Sequence, residues 1–230
     1  MRKLREGYAV LIVHHLNNSR SQRVLWLLEE LELPYEIKFY QRDAATMMAP
    51  PELRAVHPLG KSPVLTDGDT VIAESGAIVD YLVSKYGNGR LIPPEDTPER
   101  LAYTYWLHYA EGSAMPPLLM KLVFSVIPER SPFLVRPIAK GIADAAQKSF
   151  IDPQLKLHIS YWEATLNKHD WFAGDGFTAA DIQMSFPVEA AASRAVVDGL
   201  PKLTAFLQRI HARPAYRRAL EKGGPYAYAD

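Results

Sequence analysis

The 230-residue sequence contains no cysteine. That removes disulfides, thiolate metal sites, a Cys-x-x-Cys redox pair and any protein thiol nucleophile. Sulfur chemistry in this chain must use a sulfur brought in by a ligand. An excess of either charge is also missing: 26 Lys and Arg stand against 26 Asp and Glu. No general nucleic-acid or anionic-membrane surface is implied by that balance. No apolar run approaches the roughly 18 residues that a membrane helix needs. The opening MRKLREG before Ala9–Val13 imitates a secretory signal only faintly, because its apolar part is short and runs into His14-His15. Cytoplasmic is the default location.

What is present supports a sizeable core, since 48% of the residues are apolar. The length suits two small domains. Ala9–Leu16 (AVLIVHHL) is a continuous apolar run, as in a buried strand. A polar loop, Asn17–Gln22, follows. Arg23–Leu33 carries Val24, Leu27, Leu28 and Leu31 at helical spacing and is stopped by Pro34. Tyr35–Tyr40 alternates as a second strand, so strand, helix and strand form a βαβ unit with parallel strands. Adjacent His14 and His15 point to opposite faces of a strand, which favours packing over a metal site.

The central stretch is His57–Ile78, HPLGKSPVLTDGDTVIAESGAI. Val64–Leu65 and Val71–Ala73, joined through Asp67–Gly68, read as a hairpin. Glu74-Ser75-Gly76 then opens a helix running to Tyr86, with Ser75 as a natural N-cap. A helix start binds carboxylates through its open N–H groups, and Glu74 beside it suits an ammonium. One junction can therefore hold both ends of an α-amino acid. A cis Ser62–Pro63 bond would turn the Ser62 backbone outward, toward an extended peptide.

His57-Pro58-Leu59-Gly60-Lys61-Ser62-Pro63, a hairpin, and Glu74-Ser75 together resemble the glutathione-binding half of the glutathione S-transferase family, in a cytosolic branch that does not use tyrosine. The likeness spans nearly the whole chain, because Thr178-Ala179-Ala180-Asp181 matches the family's hallmark in its helical domain. It implies a thioredoxin-like domain, βαβαββα, at residues 8–86, then a linker at 87–98 dense in Gly and Pro. An all-helical domain at 99–222 would form the second-substrate pocket. Within it, Leu101–Tyr109 reads as a helix that Pro116-Pro117 ends or kinks. Ile138–His169 is helical, with Asp152-Pro153 either breaking it or restarting it. Thr178 caps a helix, with Asp181 as capping-box acid and Phe177 able to staple onto Ile182. Leu200–Ile210 and Pro214–Leu220 complete the set.

The resemblance implies that glutathione is a cosubstrate, contacted by Arg20, Lys61, Ser62, Pro63, Glu74 and Ser75. Only a few per cent of free thiol, pKa about 8.5, is ionised at neutral pH, and the thiolate is the nucleophile. Counting back from the first helix, the family's thiol-activating position falls on Asn18, with the Ser19 hydroxyl beside it. Tyr8 comes too early on the chain for that role. Ser19 and Ser21 could instead cap the first helix. Tyr105, His108 and Tyr109 could line the second-substrate pocket, or pack in the core.

The reaction expected is transfer of glutathione to a small electrophile. The alternatives are a glutathione-dependent disulfide or peroxide reductase without a protein cysteine, and a non-catalytic binding protein on this fold. The family also implies a homodimer, for which Tyr103–Tyr109 and Leu118–Ile127 offer apolar surface.

Overall fold

The computed structural model describes residues 10–44, 46, 48–194 and 199–229. The leader-like opening, Tyr8 and Ala9 lie outside the described residues. The chain forms two compact units, one reaching Pro94 and resuming at Arg209, the other Glu95–Gln208.

The first unit begins with β1 (Leu11–Leu16), α1 (Ser21–Glu30), β2 (Tyr35–Tyr40) and α2 (Glu52–Val56). It continues with β3 (Val64–Asp67), β4 (Thr70–Ala73) and α3 (Ser75–Tyr86). The sheet order is β2-β1-β3-β4, with β1 parallel to β2 and β3 antiparallel to both β1 and β4. This is the βαβαββα order expected.

α1 starts at Ser21, two residues before the apolar periodicity does, and its residues Ser21–Glu29 are all buried. A helix enclosed on every side shows no polar face to mark its start. Val13, Val24, Leu28, Val64, Leu65, Ile78, Val79 and Leu82 are fully buried in this core. Each buried aliphatic of this kind contributes about 1.5–3 kcal/mol. A smaller cluster, Leu16, Tyr40 and Leu53, joins the sheet to α2. The hairpin pairs Asp67 with Thr70, so its two-residue loop is Gly68-Asp69, one residue later than the sequence pattern indicated. Gly68 carries the positive φ, 58°, that such a loop demands.

The second unit holds α4 (Pro98–Tyr109), α5 (Met115–Arg130), α6 (Arg136–Ala146), α7 (Asp152–Lys168) and α8 (Ala179–Ala192). Pro116-Pro117 do not end the first helical run. Ala110–Ala114 take a wider π-helical turn directly before them, and the chain stays helical through both residues that lack an N–H. Pro98–Arg130 is thereby one continuous run of 33 residues, long and apolar enough by length and composition to cross a membrane. The sequence alone shows no apolar run of that length, because the run becomes continuous only through the π-helical turn. Of its apolar window 28% is buried, Met115 and Leu118 being covered and Leu119 and Val123 exposed.

Asp152-Pro153 neither break nor restart the later helix. A second π-helical turn, Gln147–Ile151, carries the chain through, and Pro153 sits in the first turn of α7. α8 is the buried centre, every residue from Ala179 to Ala191 being buried. Its capping box is complete: Ala180 N donates to Thr178 Oγ1 at 3.2 Å and Thr178 N to Asp181 Oδ2 at 2.8 Å. Phe177 meets the edge of Trp171, with ring centroids 4.9 Å apart.

α9 (Pro201–Ala212) and α10 (Pro214–Gly223) end the chain's regular structure. From Arg209 onward the chain groups with the sheet-bearing unit. α10 packs on α1 through buried Ala215, Tyr216 and Ala219, and through charge. Glu29 accepts from Tyr35 Oη at 2.7 Å, Arg218 Nε at 2.8 Å and Lys222 Nζ, and Glu30 accepts a forked pair from Arg213. Trp26 and Tyr216 pack edge to face beside them.

Candidate functional site

Three segments of the first unit converge: the loop after β1, the proline corner before β3, and the start of α3. The Ser62–Pro63 bond is cis. Gly60 ahead of it has φ 56°, and a Cβ there would lie 2.6 Å from Arg54 Cγ, so any side chain would be strained and would displace Arg54. Ser62 Oγ donates to the His14 carbonyl at 3.0 Å and accepts from Leu16 N at 3.3 Å, which ties the corner to β1. Pro63 is buried, Ser62 half-buried and Lys61 exposed.

At the next junction Ser75 is not the cap. α3 begins on Ser75 itself, and Glu74 occupies the N-cap with φ 71° and ψ 121°, without a side-chain capping bond. Such a backbone is uncommon for a residue with a Cβ, and strain of this kind concentrates at functional sites. It leaves Glu74 exposed and Ser75 buried. The Ser75 hydroxyl accepts from Arg23 Nη2 at 2.9 Å. Arg23 is 1% exposed and was missed in the sequence, although an arginine inside the apolar face of α1 is the signal that marks it.

The loop separates the two thiol-activating possibilities. Ser19 is buried; its Oγ lies 2.7 Å from Ser21 Oγ and 3.4 Å from Ser62 Oγ, and accepts from Ser21 N at 3.2 Å. Ser21 Oγ continues to His15 Nδ1 at 2.9 Å. Burial pulls the His15 pKa down to about 4, against a hydrogen bond to the Gly223 backbone that raises it. The ring is therefore neutral at physiological pH. Asn18 is half-buried with φ 47°, and its Oδ1 accepts from Ala227 N at 2.9 Å. Its Nδ2 makes no hydrogen bond to another described residue.

Arg20 is half-buried at the N-cap of α1, which makes no side-chain cap of its own. Burial lowers the pKa of neighbouring Arg42, the charge of Tyr228 raises it and that of Arg20 lowers it. Two guanidinium groups thus give this loop a positive potential.

Both halves of the chain match family models: the glutathione S-transferase N-terminal domain over residues 9–84 and its C-terminal domain over 132–223. Glutathione S-transferase 3 of Schizosaccharomyces pombe is 37% identical over 215 residues, covering 93% of this chain and 88% of that one. The chain belongs to the glutathione S-transferase family. Glutathione S-transferase 1 of Saccharomyces cerevisiae is 34% identical, with 93% and 95% of the two chains covered. A glutathione S-transferase crystal structure from Actinobacillus pleuropneumoniae superposes with a TM-score of 0.77 at 33% identity, over 95% of this chain and 94% of that one.

In the family's helical domain, the residues expected at the second-substrate pocket separate by exposure. Tyr109 is buried; its hydroxyl accepts from Trp162 Nε1 at 3.0 Å and bonds His158 Nδ1. Burial pushes its pKa up to about 12. Tyr105 stacks on Tyr109 with centroids 5.4 Å apart and stays 45% exposed, and His108 is exposed.

Proposed function

We infer that the chain is a glutathione transferase that ionises the thiol of bound glutathione for attack on a small electrophile. The observation that carries this reading is the joining of the three segments. Ser19 in the loop lies within 3.4 Å of Ser62 at the proline corner, and Arg23 of the following helix reaches Ser75 at the start of α3. Ser62 would pair with the extended tripeptide through its backbone N–H and C=O, which bond no other described residue. Glu74 would take the γ-glutamyl ammonium, and Ser75, backed by the Arg23 charge, the carboxylate. Lys61 and Arg20 would add charge toward the glycyl end and the sulfur.

For the sulfur itself we favour the Asn18 carboxamide over the Ser19 hydroxyl. Ser19 is buried and already engaged with Ser21, whereas Asn18 retains a donor. A hydrogen bond from Nδ2 to the sulfur stabilises the thiolate over the thiol, each pKa unit corresponding to about 1.4 kcal/mol. The thiol proton leaves to solvent. The thiolate then forms the new sulfur–carbon bond, and the leaving group, a halide for example, departs with the electron pair of the bond that breaks.

The sheet-bearing part (residues 8–86) would hold glutathione, with 87–98 as linker. Tyr105 and His108, supported by Tyr109, would line the second-substrate pocket of the helical part (99–222). We place the protein in the cytoplasm as a homodimer, in keeping with the cytosolic branch it resembles. The test is retention on immobilised glutathione, followed by conjugation of an aryl halide. Retention with turnover is expected. Retention without turnover of halide, peroxide or disulfide would make the chain a binding protein on this fold.

A further inference from the structure

A turn at Tyr226–Ala229 meets the loop that carries Asn18. α10 ends at Gly223, where an added Cβ would lie 2.7 Å from Gln22 Oε1 and 2.8 Å from Leu25 Cδ1, so the helix end seats directly on α1. Gly224, with φ 81°, then redirects the chain. Tyr226 is buried, and Ala229 N closes a turn onto the Tyr226 carbonyl at 3.3 Å. Ala227, the second residue of that turn, donates its backbone N–H to Asn18 Oδ1 at 2.9 Å. An open cavity of about 350 Å³ lies here, lined by Asn18, Leu220, Pro225, Tyr226 and Ala227 among others.

A carboxamide has two ends of nearly equal shape and opposite polarity. Turned one way Asn18 offers a donor to the sulfur; turned the other it offers an oxygen that repels a thiolate. A backbone N–H can be satisfied only by the oxygen. We propose that the Ala227 N–H is a positioning group for catalysis, fixing the Asn18 carboxamide so that Nδ2 is the end available to the glutathione sulfur. This rests on the reading of Asn18 as thiol activator given above. The support is rigid: α10 is held to α1 by Glu29 and Glu30 through Arg213, Arg218 and Lys222, and the turn continues from it. Preorganised donors act where charge develops because they need no reorganisation during the reaction.

The test removes one hydrogen. Ala227→Pro deletes the N–H at a turn position that accepts proline, while Ala227→Gly keeps it. Bound-thiol pKa is read by ultraviolet titration, with kcat and the KM for glutathione measured beside it. Losing an oriented donor costs about 100- to 1,000-fold in turnover, and losing its orientation alone should cost less, about 3- to 10-fold. Ala227→Pro should therefore lower kcat by that factor and raise the thiol pKa, with KM for glutathione within about twofold. Ala227→Gly should behave as the parent protein, and Ala227→Pro added to Asn18→Ala should change neither quantity further.

If Asn18→Ala raises the thiol pKa and Ala227→Pro does not, the positioning role is overturned and the activator stands. An equal loss from Ala227→Pro in the Asn18→Ala background, or from Ala227→Gly, overturns it too, since the tail would then act by general stability. If Asn18→Ala itself leaves the thiol pKa unchanged, the activator reading falls and the positioning role falls with it.

Discussion

At the scale of single residues, Arg23 changes what the α3 junction can do. A buried guanidinium needs a partner, and the Ser75 hydroxyl is one. A ligand carboxylate arriving at Ser75 would meet both the helix start and this charge. Ser75→Ala should therefore raise the KM for glutathione by about 10- to 100-fold, the range of a charge-assisted hydrogen bond, with a smaller effect on kcat. Glu74→Ala should act in the same direction through the ammonium. Steady-state kinetics with varied glutathione checks both; a change confined to kcat would place neither residue at the head group. The His57–Pro63 motif was readable because glycine and proline there answer to backbone geometry. Ser75 as first helical residue was not, since nothing in the letters Glu-Ser announces that Glu74 takes a positive φ. Ala227 was invisible for another reason: its partner lies 209 residues away.

At the scale of elements, helix ends were legible where side chains alone decide them and illegible where the backbone does. Thr178 and Asp181 satisfy the first N–H groups of α8 by themselves. Thr178→Ala should destabilise the protein by about 1 kcal/mol, measured by denaturant unfolding, with the KM for glutathione unchanged. The π-helical turns at Ala110–Ala114 and Gln147–Ile151 have no comparable signature, and the prolines after each read as breaks although the chain stays helical through them.

The docking of α10 on α1 is an electrostatic arrangement with a pH signature. Burial acts to raise the Glu29 pKa, but hydrogen bonds from Lys222, Tyr35 and Arg218 outweigh it and hold the carboxyl below its ordinary 4.5. A depressed carboxyl contributes stability above its unfolded value and loses it as pH falls through the folded one. The parent protein should lose stability below about pH 4.5 more steeply than Glu29→Gln does. Chemical unfolding at pH 7 and pH 3.5 would show it, and parallel slopes for the two proteins would remove Glu29 from the account.

At the scale of the whole molecule, the question is what covers the apolar surface of the long α4–α5 run. The sequence offered Tyr103–Tyr109 and Leu118–Ile127 as surface without showing a seam. Tyr103 and Leu118 are buried, while Leu101, Tyr105, Leu119, Leu122, Val123 and Ile127 remain between 40% and 75% exposed. Leu119, Val123 and Ile127 follow one another at four-residue spacing, so they share a helix face. A second copy of the chain is the occupant that the family resemblance supplies, and a stable interface buries on the order of 1,200–2,000 Å². Light scattering should then report twice the chain mass of 25.8 kDa. Replacing Leu119 and Val123 together by Glu would place two charges in the proposed interface, where an unpaired buried charge is strongly unfavourable. The double variant should run as a monomer with its α-helical circular dichroism retained. A parent protein that scatters as a single chain would instead leave this face uncovered, and the homodimer would have to be abandoned.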